Sequence, residues 1–196
     1  MALICYVVLA VLIFGFRVAM QRKKTGDHGL RVATQLKTSV QKLATYIQVL
    51  VLLGVLAIAI LESLNVLQPQ LNLGIYGTIA GLALCALGTA ITMVSQFQMG
   101  KSWRIGVDET EKTDLITHGM FSVSRNPIYL GMMVIGLAFM ALVPHAYMVA
   151  CYVLAIIGID LQVRKIEEPH LRRAFGDQYA NYIGKVGRYF PRLRGA

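Results

Sequence analysis

Charge is scarce in this chain, and negative charge is the scarcer kind. Only 15% of its residues are charged, with 10 acidic side chains against 19 lysines and arginines. Hydrophobic residues make up 56% of the chain, and the mean hydropathy is +0.59. This composition excludes an ordinary soluble domain and fits one small membrane domain over residues 1–196.

Cysteine is also rare. Cys5, Cys85 and Cys151 all fall in apolar runs, with no close pair and no histidine at ligand spacing. The spacing argues against a disulfide framework and against a zinc site, and it indicates small buried apolar side chains. We therefore expect no metal, and the sequence offers no convincing catalytic triad.

Long apolar runs dominate the chain, and five of them are candidate transmembrane helices. The predicted spans are 2–20, 43–61, 73–94, 128–143 and 146–163. A signal peptide is disfavoured for the first because its basic residues follow the apolar stretch. Pro144-His145 separates the last two, which are predicted to form a helical hairpin. We expect an all-α integral membrane protein with a cytoplasmic, amphipathic C-terminal segment.

Lysine and arginine are absent from the two connections at 63–72 and 144–145. By the positive-inside rule, this asymmetry predicts an N-terminus outside and a cytoplasmic C-terminus. The net charge of +9 is then a membrane-surface charge, and no nucleic-acid partner is expected. In the cytoplasmic connection at 96–126, Trp103 beside Arg104 predicts an interface anchor.

The third predicted span carries Gly74, Gly81 and Gly88 at intervals of seven residues. Small residues on one face let another helix approach closely in lipid, so this helix is predicted to be central to the packing. The alternative is that the glycines only reflect membrane composition.

The octet from Ser124 to Gly131 carries the first candidate site. Asn126-Pro127 predicts a turn followed by a helix, because proline disfavours helical geometry in the preceding residue and is tolerated in a first helical turn. Arg125 beside that helix start would form an anion site at the membrane surface. The alternative is a simple interfacial anchor.

The C-terminal tail carries the second candidate site. Glu167-Glu168 places two carboxylates at the membrane surface, where they require cations such as Arg125 or a positively charged ligand. Pro169 predicts a fresh helix after a bend at this pair. An apolar stripe follows on one predicted helix face: Leu171, Phe175, Tyr179 and Tyr182. An amphipathic helix lying on the bilayer is the alternative for that stripe.

These motifs, at 118–131 and 164–191, share one pattern. Its residues are Gly119, Arg125-Asn126-Pro127, Tyr129, Gly131, Glu167-Glu168, Leu171, Phe175-Gly176, Tyr179, Tyr182, Arg188 and Pro191. The pattern resembles the isoprenylcysteine carboxyl methyltransferase and phospholipid methyltransferase superfamily. Asn126 stands where the eukaryotic enzymes have histidine, and bacterial members often have asparagine. This departure bears on the substrate, and it implies a bacterial inner-membrane location.

The resemblance implies methyl transfer from S-adenosylmethionine to a lipophilic small molecule or prenylated cysteine among membrane lipids, most simply carboxyl O-methylation of an isoprenylcysteine-like acceptor. It implies catalytic roles for Arg125 and Arg188, the latter binding an anionic group on the acceptor. The implied cofactor-binding residues are His118, Gly119, Arg125, Asn126, Pro127, Tyr129, Glu167, Glu168, Tyr179 and Tyr182. A solvated loop histidine is the alternative for His118. An activated methyl group needs proximity and alignment more than a general base, which agrees with the missing triad.

Three other functions stay open. Phospholipid amine or thiol methylation would use the same fold. Reductase chemistry of the NADPH-dependent sterol type would use a related scaffold. A non-catalytic membrane scaffold would use its basic face to bind anionic headgroups. The sequence does not indicate an oligomeric state.

Overall fold

The computed structural model describes residues 1–26, 38–100 and 114–192. Regular structure in these ranges is helical, apart from one isolated parallel bridge between Ser124 and Gly187. The predicted interface anchor at Trp103 and Arg104 lies outside the described residues.

The helices follow the chain in the order that the apolar runs predict. They are α1 (Ala2–Ala10), α2 (Arg17–Thr25), α3 (Ser39–Ser63), α4 (Gly74–Met99), α5 (Pro127–Leu142), α6 (Ala146–Gln162) and α7 (Glu168–Lys185). A π-helical segment, Val11–Phe16, joins α1 to α2, and a second, Val163–Glu167, joins α6 to α7.

Four helical stretches are long and apolar enough to cross a membrane. They are Ala2–Lys23, Ser39–Ser63, Gly74–Met99 and Ala146–Lys185, whose apolar part is α6, and Pro127–Leu142 is a shorter apolar helix. The expectation of an all-α integral membrane protein with about five such helices is confirmed. Helix α3 begins earlier than predicted because Thr38 and Gln41 form a reciprocal capping box.

The predicted hairpin is present and its turn is held from both sides. Helix α5 ends at Leu142, and the His145 Nδ1 accepts a hydrogen bond from the Tyr147 amide, 3.2 Å away, at the start of α6. Gln70 holds the connector after α3 against this turn. Its backbone amide donates to the Pro144 carbonyl at 3.0 Å, and its side-chain Oε1 accepts from the Ala146 backbone amide at 2.9 Å.

Helices α4 and α5 approach each other through glycine. A Cβ added at Gly81 would lie 2.6 Å from the Leu142 Cγ, and one added at Gly88 would lie 2.7 Å from the Gly131 carbonyl oxygen. The prediction of a close-packing face is therefore confirmed for Gly81 and Gly88. It is wrong for Gly74, which begins α4 with a positive φ of 52° and has only the Asn72 side chain near its added Cβ.

The tail bends at a different residue from the one predicted. Pro169 occupies the first turn of α7, but the π-helical segment carries the chain from α6 into α7 without ending the helix there. The kink comes instead at Gly176, where φ is 47° and ψ is −123°. Glycine tolerates this backbone conformation because it has no Cβ.

Candidate functional site

The octet and the tail meet through backbone hydrogen bonds at the start of α5. The Arg125 amide donates to the Gly187 carbonyl at 2.9 Å, and the Asn126 amide donates to the Arg188 carbonyl at 3.1 Å. The same Arg188 carbonyl accepts from the Asn126 Nδ2 at 3.0 Å and from the Ser124 Oγ at 3.3 Å. Two segments far apart in sequence thus form one unit at the start of α5.

Glu168 is the centre of the charged part of this unit. Arg188 donates to both of its oxygens, from Nε and Nη2, at 2.8 Å each. The Arg125 Nη1 lies 3.2 Å from the Glu168 Oε1. Glu168 is 7% exposed, so a buried carboxylate holds two guanidinium groups. The expectation that cations pair with the two adjacent glutamates is therefore confirmed for Glu168.

Glu167 has neutral partners instead. The Tyr129 hydroxyl donates to its Oε1 at 2.5 Å, and the Gln162 Nε2 donates to the same oxygen at 3.2 Å. Gln162 closes the apolar helix α6, and Tyr129 stands in the first turn of α5. The two adjacent glutamates therefore face different surroundings at the end of the π-helical segment Val163–Glu167.

These surroundings separate the two carboxyl groups electrostatically, and both groups follow the apolar helix that ends at Gln162. Burial raises the pKa of Glu167, and its hydrogen bonds offset only part of that effect. Burial acts on Glu168 in the same direction, but the hydrogen bond from Arg188 and the charge of Arg125 outweigh it and hold the pKa of Glu168 below its ordinary value. Glu168 is therefore the carboxylate that the site holds ionised, while burial makes the ionised form of Glu167 less favourable than it is in water.

The aromatic stripe packs inside the protein. Tyr179 and Tyr182 are 2% and 8% exposed, with ring centroids 6.1 Å apart. The Tyr182 hydroxyl donates to the Phe121 carbonyl at 2.5 Å, and Tyr179 lies within hydrogen-bonding reach of Arg125. These contacts do not support the alternative in which the stripe lies on the bilayer.

A cavity of about 640 Å³ runs from this cluster into the helix bundle. Its polar end is formed by Arg125, Asn126, Tyr129, Glu167, Tyr179 and Tyr182. Its remaining wall is largely apolar and includes Leu9, Leu52, Phe139 and Ile156. The volume lies within the range of small-molecule sites, and the shape joins a polar mouth to a lipid-like interior.

Arg125 is the charged residue with unsatisfied donors in this wall among the described residues. Its side chain is 8% exposed, and its Nε and Nη1 are buried without a hydrogen-bond partner among the described residues. The Nη1 is close to Glu168, but the geometry is that of an ion pair and not of an aligned hydrogen bond. Buried donors are costly to leave unpaired, so the arrangement suits an anionic oxygen in the cavity.

The structure brings most of the predicted site residues together. Arg125, Asn126, Pro127, Tyr129, Glu167, Tyr179 and Tyr182 line the cavity. Glu168 and Arg188 stand behind Arg125 and are not among the described residues that line it. His118 is exposed and outside this wall.

Gly119 also stands apart from the cavity wall. It has a φ of 61° and lies against the Gln98 side chain. The Gln98 Oε1 accepts a hydrogen bond from the Met120 amide at 2.8 Å. The geometry thus gives Gly119 a role in packing the loop before α5.

The cavity wall contains three glutamines that the sequence analysis did not assign to the site, Gln48, Gln96 and Gln162. Gln162 closes α6 and binds Glu167, and Gln48 lies in the middle of α3. A polar amide within an apolar span was the sequence signal that could have identified them. Such residues in membrane helices face the protein interior or a cavity.

The fold and this site define an integral membrane protein in which a buried polar cluster caps a lipid-sized cavity. The family model described as Phospholipid methyltransferase matches residues 76–178, which is more than half of the chain. The chain belongs to the phospholipid methyltransferase family, as the motifs predict.

Curated relatives carry a more specific name. The Protein-S-isoprenylcysteine O-methyltransferase of Tribolium castaneum is 27% identical over 117 residues, covering 59% of this chain and 42% of the relative. That of Rattus norvegicus is 25% identical over 134 residues, covering 67% and 47%. A probable rice enzyme of the same name, from Oryza sativa subsp. indica, is 25% identical over 140 residues, covering 69% and 73%. The chain thus spans less than half the length of the beetle and rat relatives.

A solved structure shares the fold. It is the eukaryotic intramembrane Ras methyltransferase ICMT (isoprenylcysteine carboxyl methyltransferase), with a TM-score of 0.60 and 20% sequence identity. The match covers 89% of this chain and 60% of that one. This likeness shows that the helices described above form the same membrane fold.

Proposed function

We propose that this protein is an S-adenosylmethionine-dependent methyltransferase that methylates the carboxylate of a lipophilic, isoprenylcysteine-like acceptor. The observation that carries the proposal is Arg125, a buried cation in the wall of a largely apolar cavity, two of whose nitrogens, Nε and Nη1, make no hydrogen bond among the described residues. A lipophilic carboxylate satisfies both features at once. Its charge meets the guanidinium while its hydrocarbon chain fills the cavity. The names of the curated relatives support the same reaction.

Arg125 takes the acceptor role in this proposal, and Arg188 becomes a positioning residue. Arg188 donates two hydrogen bonds to Glu168, from Nε and Nη2, and it is not among the described residues of the cavity wall. Its planar guanidinium is therefore already occupied by Glu168. By holding Glu168, it fixes the carboxylate against which Arg125 is oriented. This revises the expectation that Arg188 itself binds the acceptor.

The methyl donor belongs at the polar end of the cavity. S-adenosylmethionine supplies a methyl group that is already activated by its sulfonium. Glu167 suits the hydroxyl or ammonium groups of such a cofactor, because it is a buried carboxyl with only neutral partners. Tyr179 and Tyr182 offer aromatic faces beside it. Asn126 and Pro127 shape the same rim.

The protein then contributes to the reaction by orienting the two reactants and by excluding water. A carboxylate held by Arg125 at the end of an apolar cavity loses most of its hydration, which strengthens its interactions there and keeps competing water away. Holding two reactants in attacking geometry supplies about 7–11 kcal/mol. A general base is unnecessary because the acceptor carboxylate is already ionised.

We also propose that the site opens to the cytoplasm and that the membrane is a bacterial inner membrane. The distribution of basic residues supports this orientation, since the connections at the hairpin end carry none. The prenylated cysteine of a protein, or a small molecule of that shape, would reach the site from the lipid phase.

Phospholipid amine methylation is the second candidate, and the family description favours it. The phosphate of a phospholipid is also an anion that Arg125 could bind. The two functions differ in which atom receives the methyl group, an oxygen in the first and a nitrogen in the second.

The test uses the purified protein in lipid nanodiscs with S-adenosylmethionine labelled in its methyl group. The acceptors are S-farnesylcysteine with a free carboxylate, its methyl ester and phosphatidylethanolamine. We expect base-labile label in the free acid alone. We also expect Arg125→Gln to lose roughly a hundredfold in kcat/KM. Arg164→Gln is the matched control, because Arg164 is exposed and pairs only at the surface with Asp160. Label confined to the phospholipid would establish the second candidate, and no transfer by a folded protein would refute both.

A further inference from the structure

Besides Gln162, two glutamines line the cavity, Gln48 and Gln96, and they differ in their partners. The Gln96 Nε2 donates to the Ile13 carbonyl, 3.3 Å away in the π-helical segment Val11–Phe16, so its amide serves the helix packing. The Gln48 Nε2 is buried and has no hydrogen-bond partner in the described part of the chain. Packing alone therefore accounts for Gln96 but leaves the amide donor of Gln48 unexplained.

The depth of Gln48 follows from the packing of α3 against α6. A Cβ added at Gly54 would lie 3.0 Å from the Cys151 Sγ, and one added at Gly158 would lie 3.7 Å from the Gln48 Cγ. The two helices are therefore antiparallel. Gly158 precedes Glu167 by nine residues. At about 1.5 Å per residue, Gln48 lies about 13 Å deeper than the level of Glu167.

Arg125 marks the same level as the glutamate pair, since its Nη1 lies 3.2 Å from the Oε1 of Glu168, the residue after Glu167. The cavity thus holds a cation at its mouth and an unpaired amide donor about 13 Å further in.

We infer that the preferred acceptor carries a hydrogen-bond-accepting oxygen partway along its tail, so that a plain isoprenyl tail makes a weaker acceptor, and that Gln48 is the residue that recognises the oxygen. The inference rests on the proposed function, because Arg125 fixes the carboxylate end. An extended chain advances about 1.3 Å per bond, which puts the oxygen roughly ten bonds from the carboxylate. Its chemical class is a keto, ether, ester or hydroxyl group within an otherwise apolar tail.

The energetics favour such an oxygen over a plain hydrocarbon tail. A buried amide facing hydrocarbon has lost its hydration and gains nothing in return. A tail with an oxygen at that depth supplies the missing bond. Gln48 therefore acts as a specificity-determining residue, and its unpaired donor discriminates against acceptors that lack the oxygen.

The test compares three S-alkylcysteines of equal chain length. One has a plain chain, one a keto group roughly ten bonds from the carboxylate, and one the same keto group about four bonds nearer. Each is measured for methyl transfer, and each is measured without methyl donor for the rise in melting temperature of the protein in nanodiscs. The variants are Gln48→Met, which keeps size and removes the donor, and Gln48→Leu as a second replacement. Gln96→Met is the matched control from the same wall.

Wild type is expected to prefer the deep keto acceptor over the plain chain by roughly tenfold in kcat/KM, and to be stabilised more by it. Gln48→Met and Gln48→Leu should bring that ratio to about one. Gln96→Met should lower stability and leave the ratio in place. Equal preference in wild type, or a ratio that survives in both Gln48 variants, overturns the inference. If no acceptor is methylated, the proposed function fails, and the melting temperatures still decide whether Gln48 recognises the oxygen.

Discussion

Replacing Glu168 with glutamine removes the negative charge that holds two guanidinium groups together. Arg188 donates to both oxygens at 2.8 Å, and Arg125 lies 3.2 Å away with its side chain 8% exposed. The substitution keeps the shape of the side chain and leaves the two cations facing each other in a buried place. Breaking a buried pair in this way costs about 3–5 kcal/mol. Glutamine retains one acceptor oxygen, so we expect the low end, about 3 kcal/mol.

Thermal unfolding in nanodiscs measures this cost. A loss of about 3 kcal/mol corresponds to a fall in Tm of roughly 6–12 °C for a chain of this size. Asp160→Asn is the control, because its pair with Arg164 at 2.7 Å is exposed, at 37% and 54% of the two side chains. An exposed pair contributes about 0–1 kcal/mol, so this control should shift Tm by no more than about 4 °C.

A double-mutant cycle then asks whether the cost comes from the ion pair. With Arg188→Gln added to Glu168→Gln, the second substitution should cost less than it does alone, because its partner is already gone. Strictly additive losses, or a Glu168→Gln variant as stable as Asp160→Asn, would refute the conclusion that Glu168 organises the site.

Three further predictions test the surroundings of the site by thermal unfolding in nanodiscs. Asn126→Asp should cost about 1–3 kcal/mol, more than Asn126→Ala, because it turns a donor to the Arg188 carbonyl into an acceptor; equal losses would contradict this. Gly88→Ala should cost about 1–3 kcal/mol, because its Cβ meets the Gly131 carbonyl at 2.7 Å, whereas Gly184→Ala has nothing within 4 Å and should be neutral. The lowered pKa of Glu168 means that its stabilisation is complete above the ordinary carboxyl pKa and is lost as pH falls through the lower folded value. The Tm gap between wild type and Glu168→Gln should stay constant down to about pH 5 and narrow below it, and a gap that closes near neutral pH would contradict the assignment.

The sequence predicted the structural features that depend on short local patterns of residues. Apolar runs predicted the spans, and Pro144-His145 predicted the hairpin turn, because helix length and proline chemistry act over a few residues. The partner of Glu168 was harder to predict. Arg188 lies 20 residues further along the chain, and its selection over other basic residues depends on the bridge between Ser124 and Gly187.

Backbone conformation and helix register set the other limits. The kink at Gly176 interrupts a helical pattern that reads as continuous, since glycine permits both conformations. A spacing of seven residues groups Gly74 with Gly81 and Gly88, yet Gly74 begins the helix, and the neighbour that meets the hairpin is Gly77, whose added Cβ would lie 3.1 Å from the Ala141 carbonyl oxygen. Gln48 was missed because its meaning depends on a cavity that only the packed helices create.

The ion pairs of the cluster bear on the choice between the two candidate reactions. Glu168 is a single carboxylate shared by the two guanidinium groups of Arg125 and Arg188. Asp114, which also lines the cavity, is exposed and therefore screened by water. Arg125 is therefore only partly neutralised, and a buried cation in this position is stabilised by an anion that enters the cavity. A carboxylate acceptor supplies that anion at the reacting atom itself. A phospholipid supplies it through its phosphate, while its reacting nitrogen is a cation at neutral pH and must lose a proton beside Arg125 before it can be methylated. The electrostatics of this site therefore support our proposal of a carboxylate oxygen as the methylated atom.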